Sequence, residues 1–293
     1  MNSTYIIAEI GINHNGDISL AKKLISKAAE SGANAVKFQK RTIDVVYSAE
    51  ELSTYRESPW GTTNREQKEG LEFDIEVYKE LYAYSKDLGL DFIVSCWDIP
   101  SVDLIENNIN VDYHKVASAL ATDTKFLEKI NQTGKPVILS TGMCTDAQVK
   151  AARSLLSNVE YILACTSTYP SVDEEINLRY ISTLSQQYPD LRIGFSNHYS
   201  GHDASTGAIA LGASLLEFHI TSDRTMYGSD QAASIEDAQG LIHGIRSMEI
   251  MLGDGKKQVY EKEKSIIKKL RKVDDLSLIH ISEPTRPERI AYA

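Results

Sequence analysis

The sequence alternates short apolar segments with amphipathic segments eight times within about 250 residues. Most of the apolar segments are continuous runs of four to six residues that end in polar residues, which is typical of strands buried on both faces. Because a helical pattern follows each strand, the strands should form a parallel sheet. The predicted strands span residues 5–11, 35–39, 91–96, 113–118, 136–142, 160–166, 192–198 and 215–221.

The predicted helices span residues 19–31, 73–88, 124–133, 145–157, 175–188, 203–212 and 234–252, with a weaker one at 101–106. Eight strand–helix repeats of this total length predict an α/β fold of the (βα)₈ TIM-barrel type. An open, doubly wound sheet is the alternative, but its glycine-rich dinucleotide fingerprint is absent from the sequence. We therefore expect a barrel.

One connection is much longer than the others. About thirty mostly polar residues separate Gln39 from the helix that begins near Phe73. Loops of this length are usually functional or disordered. Since this one follows a strand, it should lie over the C-terminal face of the barrel, where the active sites of such barrels are found.

Composition and charge exclude several functional classes. The net charge is −10, from 31 basic and 41 acidic residues, and no Lys/Arg-rich block precedes the last quarter, so nucleic-acid binding is not expected. The mean hydropathy is −0.27 and no apolar run approaches the roughly 18 residues of a membrane span, so no membrane association is expected. The N-terminus lacks the pattern of a secretory signal. The cysteines Cys96, Cys144 and Cys165 have no CxxC spacing, which favours a reduced, cytoplasmic location.

The composition changes toward the end of the chain. We expect a TIM barrel over residues 1–255, followed by a basic, helical linker over residues 256–275. Residues 276–293 have no clear period, and they resemble an in-frame translation of a sequencing-library adapter. We therefore expect a non-native tail from residue 276, although a natural C-terminal tail is the alternative, and we assign no function to His280.

Polar residues follow nearly every predicted strand. In a (βα)₈ barrel the C-terminal ends of the strands converge on one site even when they are far apart in sequence. The residues at these ends are Glu9, Asn13, His14, Asn15, Lys37, Gln39, Ser95, Trp97, Lys115, Ser118, Ser140, Thr141, Thr166, Ser167, Tyr169, Ser196, Asn197, His198, Glu217, His219 and Thr221.

Two of these residues, Lys37 and Lys115, are lysines inside otherwise apolar strands. Lysines combined with hydroxyls and backbone amides bind a small, multiply charged anion such as a phosphate-carboxylate. The alternative is that each lysine forms a salt bridge to Glu9 or Glu217 inside the barrel. Charged residues are rarely buried without a partner or a ligand, and two such lysines favour the ligand.

His198 and His219 end two neighbouring strands and could share a divalent metal that polarises a carbonyl. The alternative is that both are hydrogen-bonded structural histidines. The cysteines are not expected to act as nucleophiles, because Cys165 should lie in the core of a strand and Cys96 has no obvious base beside it.

Seven sequence blocks occur in order between about residue 5 and about residue 255. They are AEIGINHNGD (residues 8–17), VKFQ (36–39), KVAS (115–118), PVILSTGM (136–143), CTSTYP (165–170), IGFSNH (193–198) and LLEFHIT (215–221). In these blocks the chain resembles the N-acetylneuraminate (sialic acid) synthase family. The resemblance implies a metal-dependent transferase that condenses phosphoenolpyruvate with an N-acyl hexosamine such as N-acetylmannosamine. The products would be a nonulosonic acid and phosphate, and the enzyme would be a homodimer.

The resemblance also assigns roles to residues. Glu9, Lys37 and Lys115 would be catalytic, and Gln39 would contact substrate. Ser167 stands where the family often has asparagine for binding phosphoenolpyruvate. The other positions that match phosphoenolpyruvate-binding residues are Lys37, Ser95, Lys115, Ser118, Ser140 and Ser196.

The remaining matches concern the metal and the sugar. His198 and His219 match the ligands of the divalent metal, which is usually Mn²⁺ or Mg²⁺. Glu9 matches the residue at the sugar and the reacting water, and Tyr169 and Asp230 match positions on the sugar side.

The chain departs from the family pattern in two places. Ala119 and Leu120 stand where typical members have Gly-Glu or Gly-Asp in contact with the sugar, which leaves open a different sugar, of the legionaminic or pseudaminic type. Family members usually also carry a C-terminal antifreeze-like domain that places an arginine over the partner's active site. Here unfamiliar residues begin where that domain would start, so we expect ligand binding with poor turnover.

Two other functions remain as alternatives to the leading hypothesis. One is a synthase of a 3-deoxy-octulosonate or heptulosonate phosphate, which would need extra basic residues for a phosphorylated sugar. The other is a catalytically impaired barrel that binds a sugar or an anion without turnover.

Overall fold

In the computed structural model, which describes residues 3–272, eight parallel strands close into a barrel. Each strand pairs with its neighbours along the chain, and the first pairs with the last, so that Glu9 lies opposite His219. This confirms the predicted (βα)₈ architecture. The barrel strands are β1 (Tyr5–Gly11), β2 (Ala35–Lys40), β3 (Asp91–Cys96), β4 (His114–Val116), β5 (Val137–Ser140), β6 (Val159–Cys165), β7 (Arg192–Asn197) and β8 (Leu215–His219).

The helices that follow the strands pack their apolar stripes on the outside of the barrel. The first helix is typical, since the Asp17 side chain accepts hydrogen bonds from backbone N–H groups at its start and Gly32, with φ of 90°, ends it. The helices of the barrel unit are Ile18–Ser31, Ile43–Val46, Ala49–Ser53, Asn64–Leu71, Ile75–Asp87, Ile99–Glu106, Thr124–Gln132, Asp146–Leu155, Asp173–Ile176, Arg179–Gln187, Asp203–Ala210 and Ala238–Leu252, with 3₁₀ turns at Ser118–Leu120 and Gln231–Ala233.

The interior of the barrel has an apolar floor with a polar layer above it. Ile7, Ile93, Ile138, Leu163 and Leu215 form the floor. Successive side chains of a strand alternate between its two faces, so the residue two positions further along each strand also points inward, one layer higher. That layer therefore receives Glu9, Ser95, Ser140, Cys165 and Glu217.

The long connection after β2 is a folded segment rather than a disordered loop. It contains three short helices and an antiparallel hairpin of Tyr55–Ser58 with Gly61–Thr63. Capping boxes at Ser48 and Thr63 start two of the helices, which explains how polar sequence becomes ordered there. Trp60 lies against Gly70 and meets the Tyr227 ring edge-on, with 5.6 Å between ring centroids.

A second difference lies after β6. The helix expected over residues 175–188 is divided into Asp173–Ile176 and Arg179–Gln187, because Asn177 takes a left-handed conformation with φ of 46°. The remaining predicted strands and helices are present, with ends displaced by a few residues.

The barrel unit ends at Leu252, and a second unit begins at Gly253. Within the described part of the second unit, the helix Glu261–Leu270 has no buried residue. The expectation of a non-native tail over residues 276–293 lies outside the described residues. None of the helices between residues 3 and 272 has the length and apolarity needed to cross a membrane.

Candidate active site

The C-terminal ends of all eight barrel strands surround one cavity of about 160 Å³. This volume is below the roughly 300–1,000 Å³ of pockets that hold drug-sized molecules, so it suits a small ligand. The lining residues are Glu9, Lys37, Gln39, Ser95, Trp97, Lys115, Ala117, Ser118, Ala119, Ser140, Met143, Cys165, Ser167, Tyr169, Ser196, His198, Glu217 and His219.

Two lysines and two glutamates form a buried charged layer at the base of the cavity. Lys37 Nζ lies 2.7 Å from Glu9 Oε2 and 3.8 Å from Glu217 Oε2. Lys115 Nζ lies 3.5 Å from Glu217 Oε1 and donates a hydrogen bond of 2.7 Å to Ser140 Oγ. The salt bridges considered as an alternative for both lysines are therefore formed, and they lie within the lining of the cavity.

These contacts change the acidity of the groups. Burial alone would lower the pKa of Lys37, but the carboxylates of Glu217 and Glu9 raise it above its ordinary value. For Lys115 burial prevails and the pKa is lowered. Burial would raise the pKa of Glu217, yet the two ammonium groups lower it to about 2. Glu217 is thus a carboxylate at neutral pH, and its Oε2 has no hydrogen-bond partner.

The two histidines face each other at the upper edge of this layer. The His198 and His219 ring centroids lie 5.3 Å apart. His198 Nδ1 lies 2.6 Å from the carbonyl oxygen of Thr166, which can only accept, so Nδ1 carries the hydrogen and the Nε2 lone pair is free. His219 Nδ1 is buried without a hydrogen-bond partner, at 3.5 Å from Asp230 Oδ2.

The residues present fit a divalent metal held by two imidazoles. Burial lowers the pKa of His219, which favours the neutral ring that a metal requires. For His198 burial acts the same way, but hydrogen bonds to Cys165 and Thr166 raise the pKa. Within residues 3–272 no group of three or more His, Cys, Asp or Glu side chains is arranged to hold an ion. A metal here would therefore need further ligands from substrate and water.

The other predicted site residues either contact the residues described above or line the cavity. Gln39 Nε2 donates to Glu9 Oε1 at 2.6 Å, and Ser95 Oγ donates to the Lys115 carbonyl at 3.2 Å. The Tyr169 ring lies over His198, with 4.0 Å between centroids. The hydroxyls of Ser118, Ser167 and Ser196 line the cavity.

Among the residues to which the resemblance assigns a role, only Asp230 lies outside the lining. The strand-end residues that also lie outside it are Asn13, His14, Asn15, Thr141, Thr166, Asn197 and Thr221. Asp230 precedes the 3₁₀ turn Gln231–Ala233 in the connection after β8, and it reaches the site through His219. The structure thus brings together residues from Glu9 to His219, as strand closure requires.

Sequence reasoning undervalued two residues. Glu217 is predicted at a strand end and as an alternative salt-bridge partner but is given no role in the chemistry, although its carboxylate contacts both lysines and accepts from Ser196 Oγ at 3.0 Å. Cys165 was expected in a strand core, but it ends β6 and lines the cavity beside Ser118 and His198. Burial would raise the pKa of Cys165, whereas His198 and Lys115 lower it to about 7. Both residues could have been found from the alternation of side chains along a strand. Cys165 comes two residues after Leu163, and Glu217 comes two residues after Leu215, so each points into the barrel like the leucine before it.

Leu120, which departs from the family pattern, does not line the cavity. The side chain of Leu120 packs against the hydrophobic core, whereas the adjacent Ala119 lines the cavity. The 3₁₀ turn Ser118–Leu120 causes this, because it turns successive side chains away from each other. The cavity wall at this point is therefore a methyl group.

Comparison with known proteins gives consistent matches. The model of the NeuB family matches residues 24–257. The chain is 38% identical to N-acetylneuraminate-9-phosphate synthase of Mus musculus, over 92% of this chain and 76% of that protein. It is 36% identical to N,N'-diacetyllegionaminic acid synthase of Campylobacter jejuni, over 93% of this chain and 84% of that protein. The structure of N-acetylneuraminic acid (sialic acid) synthetase from Leptospira borgpetersenii, solved in complex with citrate, superimposes with a TM-score of 0.79. It shares 30% identity and covers 93% of this chain and 94% of that one.

Proposed function

The chain belongs to the NeuB family, and on that premise we propose that it condenses phosphoenolpyruvate with an N-acyl hexosamine to give a nonulosonic acid and phosphate. The observation that carries this proposal is the single cavity that contains two lysines, two carboxylates and two imidazoles. The names of the mouse and Campylobacter relatives support an amino-sugar acceptor.

Phosphoenolpyruvate would bind at the charged layer. Lys37 and Lys115 supply positive charge, and the hydroxyls of Ser140 and Ser196 can donate to phosphate or carboxylate oxygens. Before substrate binds, the lysine charges are balanced by Glu9 and Glu217, which avoids unpaired buried charge. The acid groups of the substrate would then share the two ammonium groups with these carboxylates.

The acceptor aldehyde would bind above this layer, near the two histidines. His198 and His219 would hold a divalent metal, Mn²⁺ or Mg²⁺, which when bound would act as a Lewis acid toward the aldehyde oxygen. The ring of Tyr169 lies over His198 and forms one side of this region. The side chains of Ala119 and Met143 give the wall apolar surface suited to an acyl methyl group.

The reaction balances with groups already present. The enol carbon of phosphoenolpyruvate forms a bond to the aldehyde carbon, and the aldehyde oxygen becomes a hydroxyl by taking the proton that the adding water releases. Water then adds to the carbon that carries the phosphate, and Glu9, which lines the cavity, would accept a proton from that water. The resulting intermediate expels phosphate to leave the 2-keto acid, and Lys37 and Lys115 stabilise the leaving charge.

The proposal is tested by measuring phosphate release from phosphoenolpyruvate with a panel of N-acyl hexosamines, with Mn²⁺ and with a chelator. Release that requires N-acetylmannosamine or a related diacetamido sugar, and that the chelator abolishes, would support it. Release only with a phosphorylated aldose lacking an acylamino group would favour the octulosonate or heptulosonate class. Tight binding of phosphoenolpyruvate without release under any condition would favour an impaired barrel that only binds ligand.

A further inference from the structure

Arg41 directly follows β2 and lies outside the residues that line the cavity. Its guanidinium carbon is 4.2 Å from the centroid of the Trp97 ring, which does line the cavity. Nη2 donates to Oε1 of Gln39, and Nη1 lies 3.8 Å from Oε1 of Glu72. Since the side chain is only 11% exposed, these three contacts fix the plane of the guanidinium.

The guanidinium determines which way the Gln39 amide points. A guanidinium has donors but no acceptor, so only the carbonyl oxygen of the amide can face Arg41. The NH₂ group must then face Glu9, where Nε2 donates to Oε1 at 2.6 Å. A reversed amide would place its oxygen against the carboxylate and its NH₂ against the guanidinium, and would lose both hydrogen bonds.

The two oxygens of Glu9 are consequently held by different groups. Gln39 holds Oε1, and Lys37 lies 2.7 Å from Oε2. The backbone of Gly11 packs closely against the Glu9 and Gln39 side chains. A Cβ added at Gly11 would lie 2.8 Å from Glu9 Oε1 and 3.0 Å from Gln39 Nε2. Without an oriented Gln39, the carboxylate could turn both oxygens toward Lys37.

We propose that Arg41 is a positioning residue that acts through Gln39 to fix the orientation of the Glu9 carboxylate for the condensation. This inference rests on the proposed function and assigns that reaction a residue which does not touch substrate. It predicts that the effect of losing Arg41 depends on the presence of Gln39.

A double-mutant cycle in the full chain tests this dependence. Arg41→Met removes the donors but keeps an unbranched apolar stem, and we expect it to lower kcat about tenfold or more while KM for phosphoenolpyruvate changes by about twofold at most. Arg41→Lys retains a charged donor group and should recover part of the loss. In a Gln39→Ala background, Arg41→Met should change kcat by about twofold at most.

The matched control is Arg65→Met. Arg65 lies in the same segment and pairs with Asp44 and Glu69 at an exposed position. It should leave kcat unchanged. The proposal is overturned if Arg41→Met has wild-type kcat, or if it lowers kcat as much in the Gln39→Ala background as in the wild type.

A second measurement does not depend on turnover. In ¹⁵N NMR spectra of the wild type, the Gln39 side-chain proton donated to Glu9 should resonate downfield of an ordinary glutamine amide and exchange slowly with solvent, and Arg41→Met should shift it toward the ordinary position and speed its exchange. Unchanged signals in Arg41→Met would overturn the link between Arg41 and Gln39. If the wild type releases no phosphate but the signals change as expected, the proposed function fails and Arg41 remains the group that orients Gln39.

Discussion

The Lys115 ammonium and the Glu217 carboxylate lie 3.5 Å apart, although they come from β4 and β8, which are on opposite sides of the barrel. The pair therefore spans the interior. Lys37 reaches the same carboxylate from β2 at 3.8 Å. Removal of any member of this layer leaves the others with unbalanced charge in a buried site, so function and stability are coupled here.

The first prediction concerns Lys115. Lys115→Ala should raise KM for phosphoenolpyruvate about tenfold or more, because it removes a charged donor from the cavity. It should also lower the free energy of unfolding by about 3–5 kcal/mol, since Glu217 loses a buried partner. Steady-state kinetics and urea denaturation measure the two effects.

Two further variants separate these effects of Lys115. The double variant Lys115→Met/Glu217→Gln removes both charges and should recover much of the stability without recovering phosphoenolpyruvate binding. Lys150→Ala, at an exposed position, is the control. A wild-type KM in Lys115→Ala would remove this lysine from the binding site.

The second prediction concerns the metal. His219→Ala should abolish stimulation by Mn²⁺ and reduce Mn²⁺ binding measured by calorimetry, because one of the two proposed imidazole ligands is lost. His243→Ala is the matched control, since His243 is exposed on the helix Ala238–Leu252. Metal-stimulated activity retained by His219→Ala would contradict the assignment.

The third prediction concerns pH and His14. Burial lowers the pKa of His14 to about 3 in the folded protein, against an ordinary value of 6.5. Below pH 6.5 the unfolded chain binds a proton here that the folded chain does not, so folding stability falls as the pH decreases through this range. As the pH decreases from 7.5 to 5.0, the titration of His14 should lower the free energy of unfolding by about 2 kcal/mol.

His14→Asn tests this assignment. The asparagine oxygen can accept the Gly16 N–H that His14 Nδ1 accepts at 3.1 Å, but it does not titrate. The variant should be less stable at pH 7.5, because the stacking of the ring on Phe73 is lost, and its stability should fall by about 2 kcal/mol less toward pH 5.0. Equal pH dependence in urea denaturation of both proteins would show that the histidine is not the cause.

The fourth prediction concerns the segment after β2. A Cβ at Gly70 would lie 2.1 Å from Trp60 Cγ, so Gly70→Ala must displace the indole, and we expect a loss of about 1–3 kcal/mol. Gly244→Ala is the control, because it is also helical and has nothing within 4 Å, and it should stabilise by about 1 kcal/mol. Tryptophan fluorescence and urea denaturation measure the difference. A stabilising Gly70→Ala would contradict the packing of Trp60 described here.

The strand ends illustrate how far sequence patterns reach. The period of two places Glu9 above Ile7 and Glu217 above Leu215, so the inward polar layer can be predicted without coordinates. The segment between residues 43 and 72 could not be predicted in the same way, because its helices are short and are held by caps and by Trp60. Apolar periodicity is weak in such elements.

Leu120 shows the same limit at the site itself. The family pattern indicates contact with the sugar at this position, whereas the 3₁₀ turn Ser118–Leu120 directs the Leu120 side chain against the core. In such a turn, adjacent side chains point in different directions, so one residue faces the cavity and the next faces the core. A short turn has no repeating pattern from which this direction can be predicted.

The sequence by itself determined that eight strands alternate with helices, and which residue of each strand points inward. Both follow from local periodicity, which depends only on neighbouring residues. Only the tertiary structure decided that Lys115 pairs across the barrel with Glu217 and that Arg41 lies against Gln39. These distances are set by barrel closure and by the packing of long, flexible side chains, which no local pattern specifies.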